Sequence, residues 1–236
     1  MSFLKTIHND TRGLTFLELM VVIAIFGMIA GVVLFNFKDF TGGVNLQNTS
    51  QEIALRIMQS QRYAISGNIS GGAATTPSLS VRPTYGVYFD LNGTNSTAPF
   101  NSNIDPRKQF VFFVDSDGDG VFDRNTCGAG NAGTIECLDL ITINSGDYIS
   151  DICINEKSGT DTKCTSTGDI DMPINITFKR PFPDAHFAGL DAVQGITSGG
   201  IPVIVDDMSI KVSSLRGLSK AIIIWTTGQI SVESVN

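Results

Sequence analysis

One long apolar run opens the chain. Between Leu14 and Phe35 only Thr15 and Glu18 are clearly polar. About 20 helical residues, each rising about 1.5 Å, cover the hydrocarbon core of a bilayer. The run reaches that length, so the pattern predicts a membrane-spanning helix that carries one carboxylate.

The charges beside the run predict its orientation. Lys5 and Arg12 precede it, whereas Lys38 and Asp39 follow it and cancel each other. Positive residues favour the cytoplasmic side of a span. We therefore expect residues 1–13 in the cytoplasm and the rest of the chain outside it.

A second helical pattern follows the span. After Gly42 and Gly43, a pair at which a helix can bend, apolar residues recur at roughly every third or fourth position of a polar segment. This stripe is expected to dock on a globular domain, and Gly67 is the expected stop signal. The stripe comprises Ile53, Ala54, Ile57, Met58, Gln61, Ala64 and Ile65.

From residue 67 onward the pattern changes to short β-branched and aromatic runs, such as YGVYFDL and QFVFFVD, separated by Gly, Asn, Asp and Pro. Such runs are typical of strands, and the separators are typical of turns. We predict an antiparallel sheet or sandwich of roughly six to nine strands. The fold class is therefore α+β, with a helical stem at residues 14–66 before a β-rich head at residues 67–236.

Composition and motifs exclude several function classes. The formal net charge is −7, and the chain has no run of Lys and Arg, which argues against a partner recognised through nucleic-acid phosphates. No nucleophile elbow, zinc-protease motif or phosphate-binding loop occurs. We therefore predict no catalytic residue and no enzymatic activity.

Three interpretations of the N-terminus compete. A secretory signal peptide needs small residues before its cleavage site, but Met28 stands two residues before Ala30, the best local candidate. A plain anchor explains the length but gives Glu18 no role, although an unpaired carboxylate costs about 2.5–3.5 kcal/mol at the bilayer centre and less near the interface. The third interpretation takes cleavage after Gly13 and a polar contact for Glu18.

The third interpretation has a specific precedent. The stretch RGLTFLELMVVIAI, residues 12–25, resembles the prepilin signal shared by type IV pilins and type II secretion pseudopilins. The resemblance implies that residues 1–13 are a leader and that prepilin peptidase cuts between Gly13 and Leu14. It also implies methylation of Leu14, which stands where the family usually has Phe, and retention of the apolar helix as anchor and assembly stem.

Glu18 then has a task in assembly. Cleavage would create an α-amino group on Leu14, with an ordinary pKa of about 7.7–8.0. In a bundle of stems, Glu18 of one subunit can pair with that ammonium group of its neighbour, and only the correct stagger pairs the two. The alternative is a Glu18 side chain that reaches the membrane interface without a partner.

The head resembles the GspH/FimT-like minor pseudopilins more loosely. In that group a strand runs into an acidic, glycine-rich turn, and the chain ends on a strand with a Thr-Gly turn. The counterparts in this chain are FVFFVDSDGDGVFD and IIIWTTGQISV.

The acidic turn is a candidate Ca²⁺ site. Asp115, Asp117 and Asp119 alternate, and the carbonyl of Val121 and the side chain of Asp123 follow. Oxygen ligands at alternate positions around a glycine turn are typical of the first half of a Ca²⁺ loop.

The second half of that loop departs from an EF-hand. Thr126 stands where the bidentate Glu is required, and the preceding segment has a strand pattern. We expect at most a single weaker site, completed by Glu136 or Asp139. The alternative is a solvated Asp-Gly turn.

Four cysteines, Cys127, Cys137, Cys153 and Cys164, lie in the expected head. Their spacing lacks the close pair of a structural zinc site, and an extracytoplasmic head permits disulfides. Of the three possible pairings, we favour Cys127–Cys137 and Cys153–Cys164, because each pair brackets a polar stretch with little apolar content.

These observations predict a structural subunit that is held in the cytoplasmic membrane as a precursor and then built into a type IV pilus or a type II secretion pseudopilus. Its partners would be prepilin peptidase, other pilin subunits and membrane lipid. The alternative is a membrane-anchored, Ca²⁺-dependent binding or adhesion module that never assembles. The sequence leaves secretion, pilus assembly and DNA uptake open.

Overall fold

A computed structural model describes residues 13, 15–67, 84–93, 99–115, 118–122, 127, 136–157, 162–170, 172–189, 196–198 and 201–235. The chain divides into two compact units, residues 1–42 and residues 43–236. The helix α1 (Phe16–Ser66) contributes to both units, because it runs through Gly42 and Gly43 without a break. The bend that this glycine pair permits does not interrupt the helix.

The first unit holds the apolar part of α1. The segment Phe16–Leu34 is long and apolar enough to cross a membrane, and none of it is buried inside the protein. Phe16 and Leu34 are 75% and 69% exposed. This segment therefore has the length and surface of the membrane-spanning helix that the sequence predicts.

In the second unit, α1 turns one face to the core. Ile53, Ala54, Ile57 and Ala64 are buried, as the stripe predicts, whereas Ile65 is 44% exposed. Two serines complete the buried face, because the hydroxyl groups of Ser50 and Ser60 donate to helix carbonyls of Leu46 and Ile57, each at 2.7 Å. Their polarity is thereby satisfied within the helix.

The helix ends at Ser66, the expected last residue of the stem. Gly67 follows with φ of +63°, and a Cβ at this position would lie 2.0 Å from the guanidinium group of Arg180. The left-handed backbone favours glycine at this stop, and a Cβ would also displace the flexible end of Arg180.

The head contains two five-stranded antiparallel sheets, which confirms the α+β class. Their orders are β3-β2-β1-β6-β7 and β12-β11-β10-β4-β5, and β8 and β9 form a separate pair. The described residues contain more strands than predicted. The strands β5 and β8 have only three residues each and lack a recognisable pattern, and the strand-like run IPVIVDDMSIKVSS forms two strands, β9 and β10. The strands are β1 (Thr84–Phe89), β2 (Gln109–Asp115), β3 (Cys137–Thr142), β4 (Tyr148–Glu156), β5 (Thr162–Cys164), β6 (Ile174–Phe178), β7 (Ala185–Ala188), β8 (Ile196–Ser198), β9 (Ile201–Val203), β10 (Val205–Ser213), β11 (Ser219–Trp225) and β12 (Ile230–Val235).

One apolar core joins the head end of α1 to both large sheets. The ring of Tyr63 lies 5.6 Å from Tyr85 and 5.8 Å from Phe112, between ring centroids. The amide of Gln61 donates to the carbonyls of Pro183 and Gly228, at 2.9 and 2.8 Å. The helix segment from residue 43 to Ser66 is therefore an integral part of the head.

A smaller apolar cluster covers the other face of the first sheet. Phe122, from the loop after β2, packs 5.0 Å from Tyr88 and 5.4 Å from Phe113, between ring centroids. The backbone N–H of Phe122 donates to the buried side chain of Asn175 at 3.0 Å. These contacts hold the end of the acidic loop against the sheet.

Candidate functional site

The start of α1 is held by one side chain. The hydroxyl of Thr15 accepts a hydrogen bond from the backbone N–H of Glu18 at 3.3 Å, and the carbonyl of Thr15 accepts from the N–H of Leu19 at 3.1 Å. Thr15 is therefore the N-cap of the helix, because it satisfies N–H groups that have no partner in the first turn.

The cap places Glu18 at a defined point. Glu18 is exposed in the first turn of α1, where a negative charge interacts favourably with the helix dipole. Thr15 and Glu18 have the spacing of a capping box. The sequence prediction named both residues but did not include this cap. Helix geometry thus gives the carboxylate a favourable position within its own chain.

The predicted cleavage site lies just before this cap. Gly13 is exposed, and a Cβ added to it would meet no atom within 4 Å. Leu14 and residues 1–12 lie outside the described residues. Because Gly13 precedes the N-cap, the structure leaves it outside the helix.

The comparisons with known proteins bear on this region. The family described as "Prokaryotic N-terminal methylation motif" matches residues 8–34. The match supports a type IV pilin-like protein. No curated protein and no solved structure matches the chain.

The matched region contains Gly13, Leu14, Glu18 and the whole apolar segment Phe16–Leu34. The motif indicates a structural subunit rather than an enzyme, and it implies processing by prepilin peptidase and assembly with other pilins. Together with the exposed apolar helix, it fits a precursor anchored in the inner membrane.

The acidic loop begins at the end of β2. One carboxylate oxygen of Asp115 accepts from the N–H of Gly118 at 2.6 Å, and the other accepts from the N–H of Gly120 at 2.9 Å. The side chain of Asp119 accepts from the N–H of Val121 at 2.8 Å. Asp115 is only 2% exposed, so its carboxylate organises the turn from within.

The structure describes the positions of three of the five predicted Ca²⁺ ligands. Asp115, Asp119 and Val121 belong to one turn, whereas Asp117 and Asp123 lie outside the described residues. Carboxylate and carbonyl oxygens are ligands that suit Ca²⁺. The Ca²⁺ site stays a prediction.

The two acidic residues expected to complete that site have other surroundings. Asp139, on β3, lies 3.5 Å from the guanidinium group of Arg56 on α1. Glu136 is fully buried just before β3, and its backbone carbonyl accepts from the N–H of Val114 at 2.9 Å. The Asp139 carboxylate thus already has a cationic partner.

A cleft of about 320 Å³ lies beside the acidic turn. Asp115 and Asp119 line it together with two basic residues, Lys179 and His186. His186 is exposed on β7, and β6 ends one residue before Lys179. The antiparallel register of β6 and β7 creates this grouping, so no local sequence signal could have predicted it.

The structure joins Cys127 to Cys137 and Cys153 to Cys164, the pairing that the sequence favours. Cys153 and Cys164 are direct cross-strand partners on β4 and β5. Among the described residues, they and Asp151 form the one group compact enough for a metal ion. Their sulfurs are oxidised, so they offer no thiolate ligands.

Asp151 has a structural task instead. Its carboxylate accepts from the N–H of Ser166 at 3.0 Å and from the hydroxyls of Thr165 and Ser166 at 2.7 and 2.5 Å. It thereby fixes the turn that follows β5, directly beside the disulfide.

Proposed function

We propose that this chain is a minor pilin or pseudopilin, a structural subunit of a type IV pilus or a type II secretion pseudopilus. Prepilin peptidase cuts it between Gly13 and Leu14, the new N-terminus is methylated, and the apolar helix carries it into the filament. One observation carries the proposal: the methylation motif at residues 8–34 coincides with a capped apolar helical segment that has no buried residue and bears a single carboxylate, Glu18.

The pairing of Glu18 supplies the assembly register. The α-amino group created at Leu14 has an ordinary pKa of about 7.7–8.0, so much of it is positive near neutral pH. In a low-dielectric bundle of apolar stems, a lone carboxylate is costly, and a paired one is less so. A stagger that brings Glu18 to the amino group of a neighbouring subunit is therefore favoured over other staggers.

The head is proposed to face away from the cytoplasm and to be of the GspH/FimT-like kind. Two features support the GspH/FimT-like kind. The strand β2 leads into the acidic turn at Asp115. The hairpin of β11 and β12 closes on the Thr-Gly turn, where the N–H of Gly228 donates to the carbonyl of Trp225 at 2.8 Å. Both correspond to the motifs that carry the resemblance.

The test is the variant Glu18→Gln, expressed with prepilin peptidase and the other subunits of a host filament system. Glu52→Gln is the matched control, because Glu52 is a second exposed glutamate on the same helix. We expect leader removal to proceed in both variants. Incorporation of Glu18→Gln into sheared filaments should fall by about tenfold or more, since about 1.4 kcal/mol of lost pairing corresponds to a factor of ten.

Incorporation of the Glu52→Gln control should match that of the native chain. If Glu18→Gln is processed and enters filaments as well as the native chain does, the register role of Glu18 is wrong. If neither the native chain nor the variants enter any filament, the subunit proposal itself fails.

A further inference from the structure

The cleft beside the acidic turn carries opposite charges on its two sides. Asp115 and Asp119, at the end of β2 and in the turn after it, line one side, and Lys179 and His186, from the β6–β7 hairpin, line the other. The strand β1 lies between β2 and β6. The ammonium group of Lys179 forms no ion pair with any described residue, although two carboxylates line the same cleft. This positive group therefore has no counter-charge within the described part of the chain.

A buried hydroxyl faces the same cleft. Tyr85 packs its ring against Tyr63 in the core, so the alternation of a strand turns the preceding side chain, Thr84, to the opposite face, where it lines the cleft. Thr84 is only 4% exposed, and its hydroxyl has no hydrogen-bond partner among the described residues. Buried hydroxyls are nearly always hydrogen-bonded, because an unpartnered one has lost its hydrogen bonds to water. Thr84 therefore indicates that a polar molecule binds in the cleft.

The strand register sets the width of the cleft. Thr84 on β1 is the direct partner of Asp115 on β2. On its other side β1 pairs with β6, where Tyr85 is the partner of Phe178, so Lys179 lies beside Thr84. Neighbouring strands are about 4.7–4.9 Å apart, so two such steps separate the backbones of Asp115 and Lys179 by about 10 Å. A molecule that contacts both sides of the cleft must span a distance of this order.

This width decides between classes of ligand. A free α-amino acid carries its ammonium and carboxylate groups on one carbon atom, so it cannot reach both sides of the cleft at once. An extended dipeptide, at about 3.3–3.6 Å per residue, holds its two charged ends about 7 Å apart. The cleft volume of about 320 Å³ lies at the lower end of the range of small-molecule sites, about 300–1,000 Å³, and therefore suits a ligand of this size.

From the unpaired ammonium group, the buried hydroxyl and the width of the cleft we infer that the cleft binds a short zwitterionic peptide of about two residues. The ammonium group of the peptide lies at the carboxylate of Asp119, and its carboxylate lies at Lys179 and His186. The hydroxyl of Thr84 forms a hydrogen bond with its peptide group. The cleft lies wholly within the second unit, so this binding would add a recognition role of the head to the proposed role as a filament subunit.

The test is a calorimetric titration of the full chain, in detergent micelles, with diglycine. A chelator keeps Ca²⁺ from the acidic turn, where the ion would compete with the ammonium group of the peptide. Three analogues isolate the recognised groups: N-acetyl-diglycine lacks the ammonium group, diglycine amide lacks the carboxylate, and glycine has both charges but is too short. We expect the Kd of diglycine to be lower than that of each analogue by about tenfold or more, because each analogue loses a charge-assisted hydrogen bond.

Two pairs of variants locate the binding in the cleft. Lys179→Met removes the ammonium group and should raise the Kd of diglycine by about tenfold or more, whereas Lys157→Met, which replaces an exposed lysine outside the cleft, should leave it unchanged. Thr84→Val removes the buried hydroxyl and should raise the Kd several-fold, and Thr84→Ser, which keeps the hydroxyl, should restore it. Lys179 is exposed, so its variant remains informative if Thr84→Val does not fold.

No binding of diglycine at millimolar concentration would overturn the inference. Equal affinity for diglycine and any of the three analogues would also overturn it, because the cleft would then not recognise two separated charges. Diglycine binding that survives Lys179→Met unchanged would place the peptide elsewhere on the chain and would likewise contradict it. None of these results bears on leader removal or filament entry, so the subunit proposal is tested separately.

Discussion

The two parts of α1 differ in how their apolar surface is buried. Residues 43–66 bury one face against the head, with Ile53 and Ile57 at 1% and 0% exposure, and leave the opposite face exposed. The segment Phe16–Leu34 is apolar on all sides and buries nothing. An amphipathic helix can bury its apolar face against its own domain, whereas a helix that is apolar on all sides needs lipid or other helices around it. Residues 43–66 therefore bury their apolar surface within the same chain, whereas the segment Phe16–Leu34 can bury its apolar surface only against lipid or other subunits.

The same contrast holds for carboxylates. In the head, buried Asp147 accepts hydrogen bonds from the hydroxyls of Thr49 and Ser145, at 3.0 and 2.8 Å. No described residue donates a hydrogen bond to the carboxylate of Glu18, which is exposed in an apolar segment. In the head, the buried carboxylate thus has hydrogen-bond donors from the same chain. The apolar segment carries a charge whose partner we place on another molecule.

The largest expected effect concerns leader removal. Gly13→Val should abolish processing when the chain is expressed with prepilin peptidase, and Gly27→Val should leave it unchanged. An added Cβ meets no atom within 4 Å at either position, so the two substitutions have similar steric cost within the chain. Any difference between them must come from recognition by the peptidase. The size of the membrane-bound chain on a gel measures the result, and equal processing of both variants would contradict the assignment of Gly13.

The second effect tests the docked half of the helix. Ile57→Ala should destabilise the head by about 2–5 kcal/mol, because it removes a fully buried side chain. Leu55→Ala, on the exposed face of the same helix, should change stability by no more than about 0.5 kcal/mol. The measurement is urea unfolding of the full chain in detergent micelles, followed by the fluorescence of Trp225, the single tryptophan. Equal losses in both variants would show that this helix face is not the docking seam.

The third effect concerns the acidic turn. If Asp115, Asp117 and Asp119 hold Ca²⁺ with the affinity of an extracellular site, ten- to a hundredfold excess over Kd adds about 1.4–2.7 kcal/mol and raises Tm. The variant Asp117→Ala should lose that rise. Asp206→Ala, which removes an exposed carboxylate outside the turn, should keep it. An unchanged Tm of the native chain at millimolar Ca²⁺ would remove the site.

The smallest effect is electrostatic. The Arg107 guanidinium, hydrogen-bonded to Asp105 at 2.8 Å, lowers the pKa of Asp105 below its ordinary value of 3.8. A lowered pKa in the folded state means that the stabilisation is present above pH 3.8 and is lost as the pH falls through the lowered value. Both side chains are partly exposed, at 35% and 47%, so solvent screening keeps the contribution below about 1 kcal/mol.

Asp105→Asn tests this pair. The asparagine oxygen can still accept from the backbone N–H of Arg107, but the variant loses the charge and the second guanidinium hydrogen bond, because an amide nitrogen cannot accept it. The difference in unfolding free energy between the native chain and the variant should be small at neutral pH and vanish in acid. A difference that persists unchanged below the lowered pKa would assign the effect to packing rather than to charge.

Sequence patterns predicted those features that depend on local periodicity. The apolar run, the stripe through Ile53 and Ile57 and the stop at Gly67 each follow from spacing within one element. Ile65 departed from the stripe, because periodicity places a residue on a face but does not say where the core ends.

Features that depend on distant contacts could not be predicted in this way. The cleft that gathers Asp119, Lys179 and His186 exists because β6 and β7 pair beside the turn after β2. The strands of three residues are too short to show a period, and they form because longer neighbours offer them a partner or because they pair with each other. The N-cap at Thr15 is a local feature that the sequence does show, because Thr15 and Glu18 have the spacing of a capping box. The prediction treated Glu18 as a charge and not as the third helical residue.

The most direct measurement is the N-terminal sequence of the chain recovered from membranes that contain prepilin peptidase. We expect a mature chain that begins with methylated Leu14, which places Glu18 one helical turn from a newly made amino group. A chain that still begins with Met1 would contradict it. The carboxylate in the apolar helix would then have no such partner, and a plain anchored head would be the better description.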